Sequence, residues 1–199
     1  MSVINHKYKH SFIHIPKCAG HSMQSHLWVG NVCHTTVKDY IENDEWCEDY
    51  FSWTFVRNPL DRLLSSYFWV KKPEYKFEKW HTELREKHVI NFDNFVRWLD
   101  DANIENDILL KPQHKYVLYN DTIKINFVGR FENLNKDWSY VTNKVMGKEI
   151  PMLHKNKTNH KHYMEYYDDS LIEIVFNKYK KDFNIFNYES NYILRRSTQ

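Results

Sequence analysis

Cysteine is scarce in this chain. Its three residues, Cys18, Cys33 and Cys47, are few and odd in number, which argues against a disulfide framework and for a reducing compartment. No run approaches the length of a membrane span, and the opening MSVINHKYKH has no apolar signal-peptide core. The expectation is therefore a soluble, cytoplasmic protein with no membrane partner. Charge of one sign is also lacking: 28 Lys+Arg against 26 Asp+Glu leave +2, too little to make nucleic acid the main partner. No internal repeat or low-complexity linker breaks the chain, and 199 residues suit one sizeable domain spanning 1–199.

What is present is aromatic weight, 17% of residues, enough to build a core. Phe12, Ile13 and Ile15 suggest a short buried strand at 10–15, and residues 22–29 then read as a helix with Met23 and Leu27 on one face. YFSWTFVR, residues 50–57, reads as a second strand. Asn58 is a good N-cap and Pro59 suits a first helical position, so the spacing of Leu60, Leu63, Leu64, Tyr67 and Phe68 predicts a helix over 59–71. Another helix is expected at 92–100. IKINFV, residues 123–128, reads as a third strand, followed by a helix through Leu134, Trp138, Val141 and Val145 that ends at Gly147. Ser170 and Glu173 can form a capping box for a last helix. Strands alternating with helices point to an α/β fold with a parallel sheet. The strand order is not fixed by this pattern.

Two stretches can hold anions. In IHIPKCAGHS, residues 13–22, a strand runs through a tight turn into a helix, whose first N–H groups and positive dipole end attract a phosphate. Gly20 would let the backbone approach the ligand, Ser22 adds a hydroxyl and Lys17 a positive charge. This is not a Walker A loop, because the lysine precedes the glycine and no G-K-[ST] follows. The alternative is a plain strand–turn–helix connection with a surface lysine. In FVRNPLDRLLSSY, residues 55–67, Arg57 sits at a strand end, where open α/β sheets bind ligands, and can grip a phosphate in bidentate fashion. The alternative there is an ion pair of Arg57 with Asp61 or Glu132 and a Ser65 that merely packs.

Taken together, the two stretches resemble the sulfotransferases that use 3′-phosphoadenosine 5′-phosphosulfate (PAPS), in particular the carbohydrate branch of heparan 2-O- and chondroitin type. KPQHKY at 111–116, INFVGRFENLNKDW at 125–138 and YYDDSLIEIVFNKYKKDFNIFNY at 166–188 extend the resemblance over most of the chain. It implies a three-layer, P-loop-like α/β fold with a central, mostly parallel sheet flanked by helices. It also implies PAPS as donor and PAP as product, without a metal, and a hydroxyl acceptor such as a sugar or glycan. Loop residues Lys17, Cys18, Ala19, Gly20, His21 and Ser22 would bind the 5′-phosphosulfate, with Lys17 beside the bridging oxygen where charge grows. Arg57 and Ser65, eight positions later, would bind the 3′-phosphate. HKNKTNHKHY, residues 154–163, resembles the loop over the nucleotide, with Asn156, Lys157 and Thr158 as contacts, or is a solvated basic loop.

His21 stands where the family commonly has Thr, which removes one hydroxyl donor. Cys18 replaces another common Thr, and it lacks the downstream arginine of a Cys-x5-Arg phosphatase loop. His34 falls in the interval where related carbohydrate sulfotransferases carry a histidine base, and its ordinary pKa suits proton removal near neutrality. The alternative for it is a surface or capping histidine, with Glu42, Glu45 or Glu48 as the base. His14, in the first strand, is expected to be structural. His154, His160 and His162 lack the cysteine or carboxylate partners of a zinc set. Trp69, Tyr75, Phe77 and Trp80 could stack on a sugar or pack. Two other function classes stay open: a P-loop-type NTPase or small-molecule kinase, and a non-catalytic protein that binds PAP or PAPS.

Overall fold

The structure is a computed structural model, and it describes residues 4–24, 34–72, 84, 86–152 and 161–188. It divides into two compact units, one built from residues up to Arg57 and from Gln113–Lys157, the other from Asn58–Pro112 and the chain from Thr158 onward.

The first unit holds the central sheet. Its strands are β1 (Ile4–Asn5), β2 (His10–Ile13), β3 (Phe51–Val56) and β6 (Phe127–Arg130), in the order β1-β2-β3-β6. β1 runs antiparallel to β2, while β2–β3 and β3–β6 are parallel. The expected mixed α/β fold with a mostly parallel central sheet is thus observed. All four residues of β2 are buried, as an interior strand covered on both faces requires, although His10 and Ser11 are polar. Phe12 stacks on Trp53 at 4.2 Å between ring centroids, and Trp53 meets Trp138 at 6.1 Å. The Trp53 indole Nε1–H donates to His10 Nδ1 at 3.2 Å. Gly129 is required by close approach, because a Cβ there would lie 2.7 Å from the Phe55 ring.

Three short helices and one long one accompany these strands: α1 (Gly20–Gln24), α2 (Val37–Glu42), α5 (His114–Val117) and α6 (Leu134–Met146). A capping box of Thr36 with Asp39 starts α2. Gly147 ends α6 in the left-handed region, at φ 67, a conformation glycine adopts without a steric penalty. Helix α6 packs on β6.

The strand expected at 123–128 is divided in two. Thr122–Ile123 (β5) pairs with Leu118–Tyr119 (β4) in a separate two-stranded antiparallel sheet, and only Phe127–Arg130 joins the central one. Asn126 marks the break: its side chain accepts from the Ser52 amide at 2.8 Å, while its own amide donates to Ser52 Oγ at 3.0 Å.

The second unit is helical: α3 (Pro59–Val70), α4 (Phe92–Asp101) and α7 (Asp169–Ile185), with a short 3-10 turn at Tyr163–Tyr166. The Asn58 side chain accepts from the Leu60 amide, and Pro59 takes the first position of α3, as the sequence implies. Asn91 caps α4 in the same way. The last helix begins two residues earlier than Ser170 suggests. Asp168 is its cap, accepting from the Leu171 amide at 2.9 Å, and the Ser170 hydroxyl donates to that same carboxylate at 2.7 Å. A carboxylate at the N-cap also opposes the helix dipole, which a serine cannot do. Helices α4 and α7 pack together, and the buried Arg62 donates to the carbonyls of Leu109, Leu110 and Lys111.

Among the described residues, no helix is long and apolar enough to cross a membrane. Tyr75, Phe77 and Trp80 lie outside the described residues.

Candidate active site

β2 ends at Ile13, and the chain reaches α1 at Gly20 through His14, Ile15, Pro16, Lys17, Cys18 and Ala19. Two residues of this loop, Lys17 (φ 69) and Ala19 (φ 65), take left-handed backbone conformations. A side chain makes that region unfavourable by roughly 1–2 kcal/mol per residue. Strain of this kind collects at ligand clamps, and left-handed residues occur in the backbone nests that bind anions. The amide of Ser22 closes the turn onto the Ala19 carbonyl at 3.0 Å. Ser22 is buried, Lys17 is half-buried and His21 is exposed.

Gly20 is also required by a close approach within the protein. A Cβ on it would lie 2.0 Å from His14 Nε2, so the absent side chain makes room for an imidazole. His14 is 2% exposed, and among the described residues its Nδ1 has no hydrogen-bond partner. Around it gather His34, with ring centroids 4.5 Å apart, and His21, at 5.9 Å. Burial drives the His14 pKa well below the usual imidazole value, and the charges of His34, His21 and Lys17 push it the same way. Partial desolvation of its ring lowers the pKa of His21 although the residue as a whole is exposed, and the charge of Lys17 acts the same way. His34 is lowered by burial and by His21, with its bond to the His14 backbone pulling in the opposite direction.

That bond fixes the chemistry of His34. Its Nδ1 lies 3.2 Å from the carbonyl oxygen of His14. A carbonyl can only accept, so Nδ1 carries the proton and Nε2 keeps a lone pair. The half-buried imidazole is therefore held in the tautomer a general base needs.

Arg57 follows the last residue of β3 and is 7% exposed. Its guanidinium lies 4.0 Å from the Phe131 ring centroid, and Nη1 donates to the Lys17 carbonyl at 3.2 Å. The arginine of the second stretch is thereby tied to the loop of the first. Gln113 joins the same group. Its Oε1 accepts from the Arg57 amide at 2.9 Å and from the Cys18 thiol at 3.5 Å, and its Nε2 donates to the Arg57 carbonyl at 2.8 Å. Cys18 is buried and, with Cys47, is a free thiol.

Of the residues named from sequence, Lys17, Cys18, Ala19, Gly20, His21, Ser22, His34 and Arg57 fall in the first unit, with direct contacts linking Arg57 to Lys17 and His34 to His14. Ser65 lies on α3 in the second unit and is buried. Asn156, Lys157 and Thr158 lie outside the described residues. Among the described residues no cluster of three ligating side chains is placed to hold a metal ion, and His162 caps the 3-10 turn by accepting from the Met164 amide. Sequence reasoning gave no task to Gln113 or Phe131. The signal available was KPQHKY, a polar and basic stretch whose one amide, Gln113, is fully buried.

A family model described as the sulfotransferase family matches residues 1–189. The chain belongs to the sulfotransferase family. Among curated proteins and among solved structures, no match to it is found. As a sulfotransferase it is a transferase of sulfuryl groups, and the residues above are the ones available to such a reaction. The loop carries His14 and Lys17, the rings of His21 and His34 lie beside His14, and the Arg57 guanidinium reaches the Lys17 carbonyl. Such a donor set fits a ligand that carries anionic groups at separate points.

Proposed function

We propose that this sulfotransferase moves the sulfuryl group of PAPS to a hydroxyl of a carbohydrate, with His34 as general base. The observation that carries the reading is the contact of the Arg57 guanidinium with the Lys17 carbonyl at 3.2 Å, which supports two anion-binding stretches acting on one nucleotide. PAPS supplies the activated sulfuryl group and leaves as PAP. The loop from Lys17 to Ser22 binds the 5′ end, and Lys17 with the neighbouring amides offsets the charge that grows on the departing phosphate oxygen. Arg57 holds the 3′-phosphate. Ser65 is assigned to the same phosphate on the motif spacing, and Asn156, Lys157 and Thr158 are assigned to the nucleotide by resemblance. His34 takes the acceptor proton on Nε2 while its Nδ1–H stays on the His14 carbonyl. Holding donor and acceptor in line contributes up to roughly 7–11 kcal/mol, and a positioned base on the order of a hundred- to ten-thousand-fold.

Thermal unfolding with PAP, PAPS and ATP, each with and without magnesium, tests the donor. PAP and PAPS should raise the midpoint without magnesium, and ATP should do so less. Stabilisation by ATP alone, dependent on magnesium, would overturn the reading in favour of a kinase or NTPase. Incubation with PAPS and desulfated heparan- or chondroitin-type chains then tests transfer: a sulfated glycan is expected, and binding of PAPS with no transfer to any hydroxyl would mark a binding protein.

A further inference from the structure

Arg57 stands one residue beyond the ladder of the sheet, whose last β3–β6 pair is Val56 with Arg130. A backbone at a strand end has lost its neighbour, yet here both polar groups of Arg57 are satisfied by one side chain. Gln113 Oε1 accepts the amide proton at 2.9 Å and Nε2 donates to the carbonyl at 2.8 Å. The pair reproduces what a further strand residue would offer. Gln113 is 0% exposed, so neither bond competes with water. It also occupies the N-cap position of α5 without any capping bond from its side chain, which shows where the amide is committed. The same Oε1 takes the Cys18 thiol at 3.5 Å, in the middle of the loop, while the Arg57 guanidinium reaches the Lys17 carbonyl on its other side. One buried amide thus touches both the strand end and the loop.

We propose that Gln113 is a positioning residue that fixes Arg57 against the Lys17–Ala19 loop, so that the two anion-binding groups are held at one separation before nucleotide arrives. This rests on the PAPS reading for its consequence, though not for its geometry. Loss of Gln113 takes from the buried N–H and C=O of Arg57 the partners they have, and buried polar groups that lose a partner are costly to keep in place.

The test uses Gln113→Leu, which removes both bonds, and the isosteric Gln113→Glu, which keeps an acceptor and loses the donor. PAP affinity is measured by calorimetry in each, with and without Arg57→Ala, alongside amide hydrogen exchange at Arg57 in the ligand-free protein. Gln113→Leu should weaken PAP about tenfold or more when Arg57 is present and little when it is absent, the non-additivity expected of coupled groups. Arg57 amide exchange should quicken by at least about tenfold, with Gln113→Glu intermediate. Equal losses in both backgrounds, or wild-type affinity in a folded Gln113→Leu, would overturn the proposal. If Gln113→Leu fails to fold, the Gln113→Glu cycle and exchange rate decide by the same criteria. Should the wild type itself bind no PAP, the donor reading fails, and the exchange rate alone then judges the lock: unchanged exchange refutes it and faster exchange upholds it.

Discussion

The surroundings of His34 favour its neutral form. Burial strips the water that would solvate its cation, His21 adds repulsion, and the bond to the His14 carbonyl offsets only part of this. In the general-base role proposed for His34 the active form is the neutral one, so a pKa below the ordinary 6.5 would keep activity intact as pH falls from neutrality and place the acid limb of the kcat profile below 6.5. His34→Ala should lower kcat by roughly a hundred- to ten-thousand-fold with PAP affinity unchanged; single-turnover rates and PAP titration separate the two. Gly20→Ala makes a different case. The new Cβ would meet the His14 ring, displacing the residue whose carbonyl orients His34. We expect a loss of about 1–3 kcal/mol from overpacking, read by urea unfolding, together with a fall in kcat. Lys17, Ser22 and Arg57 could be singled out as candidates because charge and hydroxyls in a short motif carry their chemistry in their identity, and the structure places all three in one unit. The need for Gly20 was legible only as a need for space. That an imidazole fills it depends on the path of the chain after β2, which local sequence does not encode.

Among the elements, what is written locally was readable and what depends on a distant partner was not. Asn58-Pro59 predicts the start of α3 because a cap and a fixed φ act within one turn. IKINFV looks like one strand because its apolar content is continuous, yet Asn126 bonds to Ser52, 74 residues away, and divides it. The start of α7 was misplaced for a simpler reason: serine and aspartate both cap, and the aspartate with the better electrostatics took the position. β2 carries a pH dependence of its own. His10 is fully buried, and its pKa is pushed down to about 4 by that burial. Unfolding restores a value near 6.5, so the unfolded chain binds the extra proton between these limits. Stability from this residue is complete above pH 6.5 and falls as pH drops toward 4, by up to roughly 3 kcal/mol. Urea midpoints from pH 4.5 to 7.5 should decline on the acid side, and His10→Leu should flatten that slope. It should also lower stability throughout, since the Trp53 indole loses its acceptor.

For the molecule as a whole, the alternation of strands and helices made the α/β class readable, while the order β1-β2-β3-β6 and the two interleaved units were beyond it. Interleaving has its root in one pairing. β3 ends at Val56, and the strand that completes its second edge begins only at Phe127, about 70 residues later. During translation at roughly 5–20 residues per second, an aromatic-rich strand therefore waits several seconds with a row of unsatisfied amides and carbonyls, longer still because its partner must clear the ribosomal tunnel. Such an edge recruits other chains. A polypeptide stopped at Asp121 should accumulate in the pellet and regain solubility when extended through Gly147, as fractionation after cell-free synthesis would show. The nascent chain is thus most in need of a chaperone midway through its own synthesis, well before the loop after β2 has anything to bind.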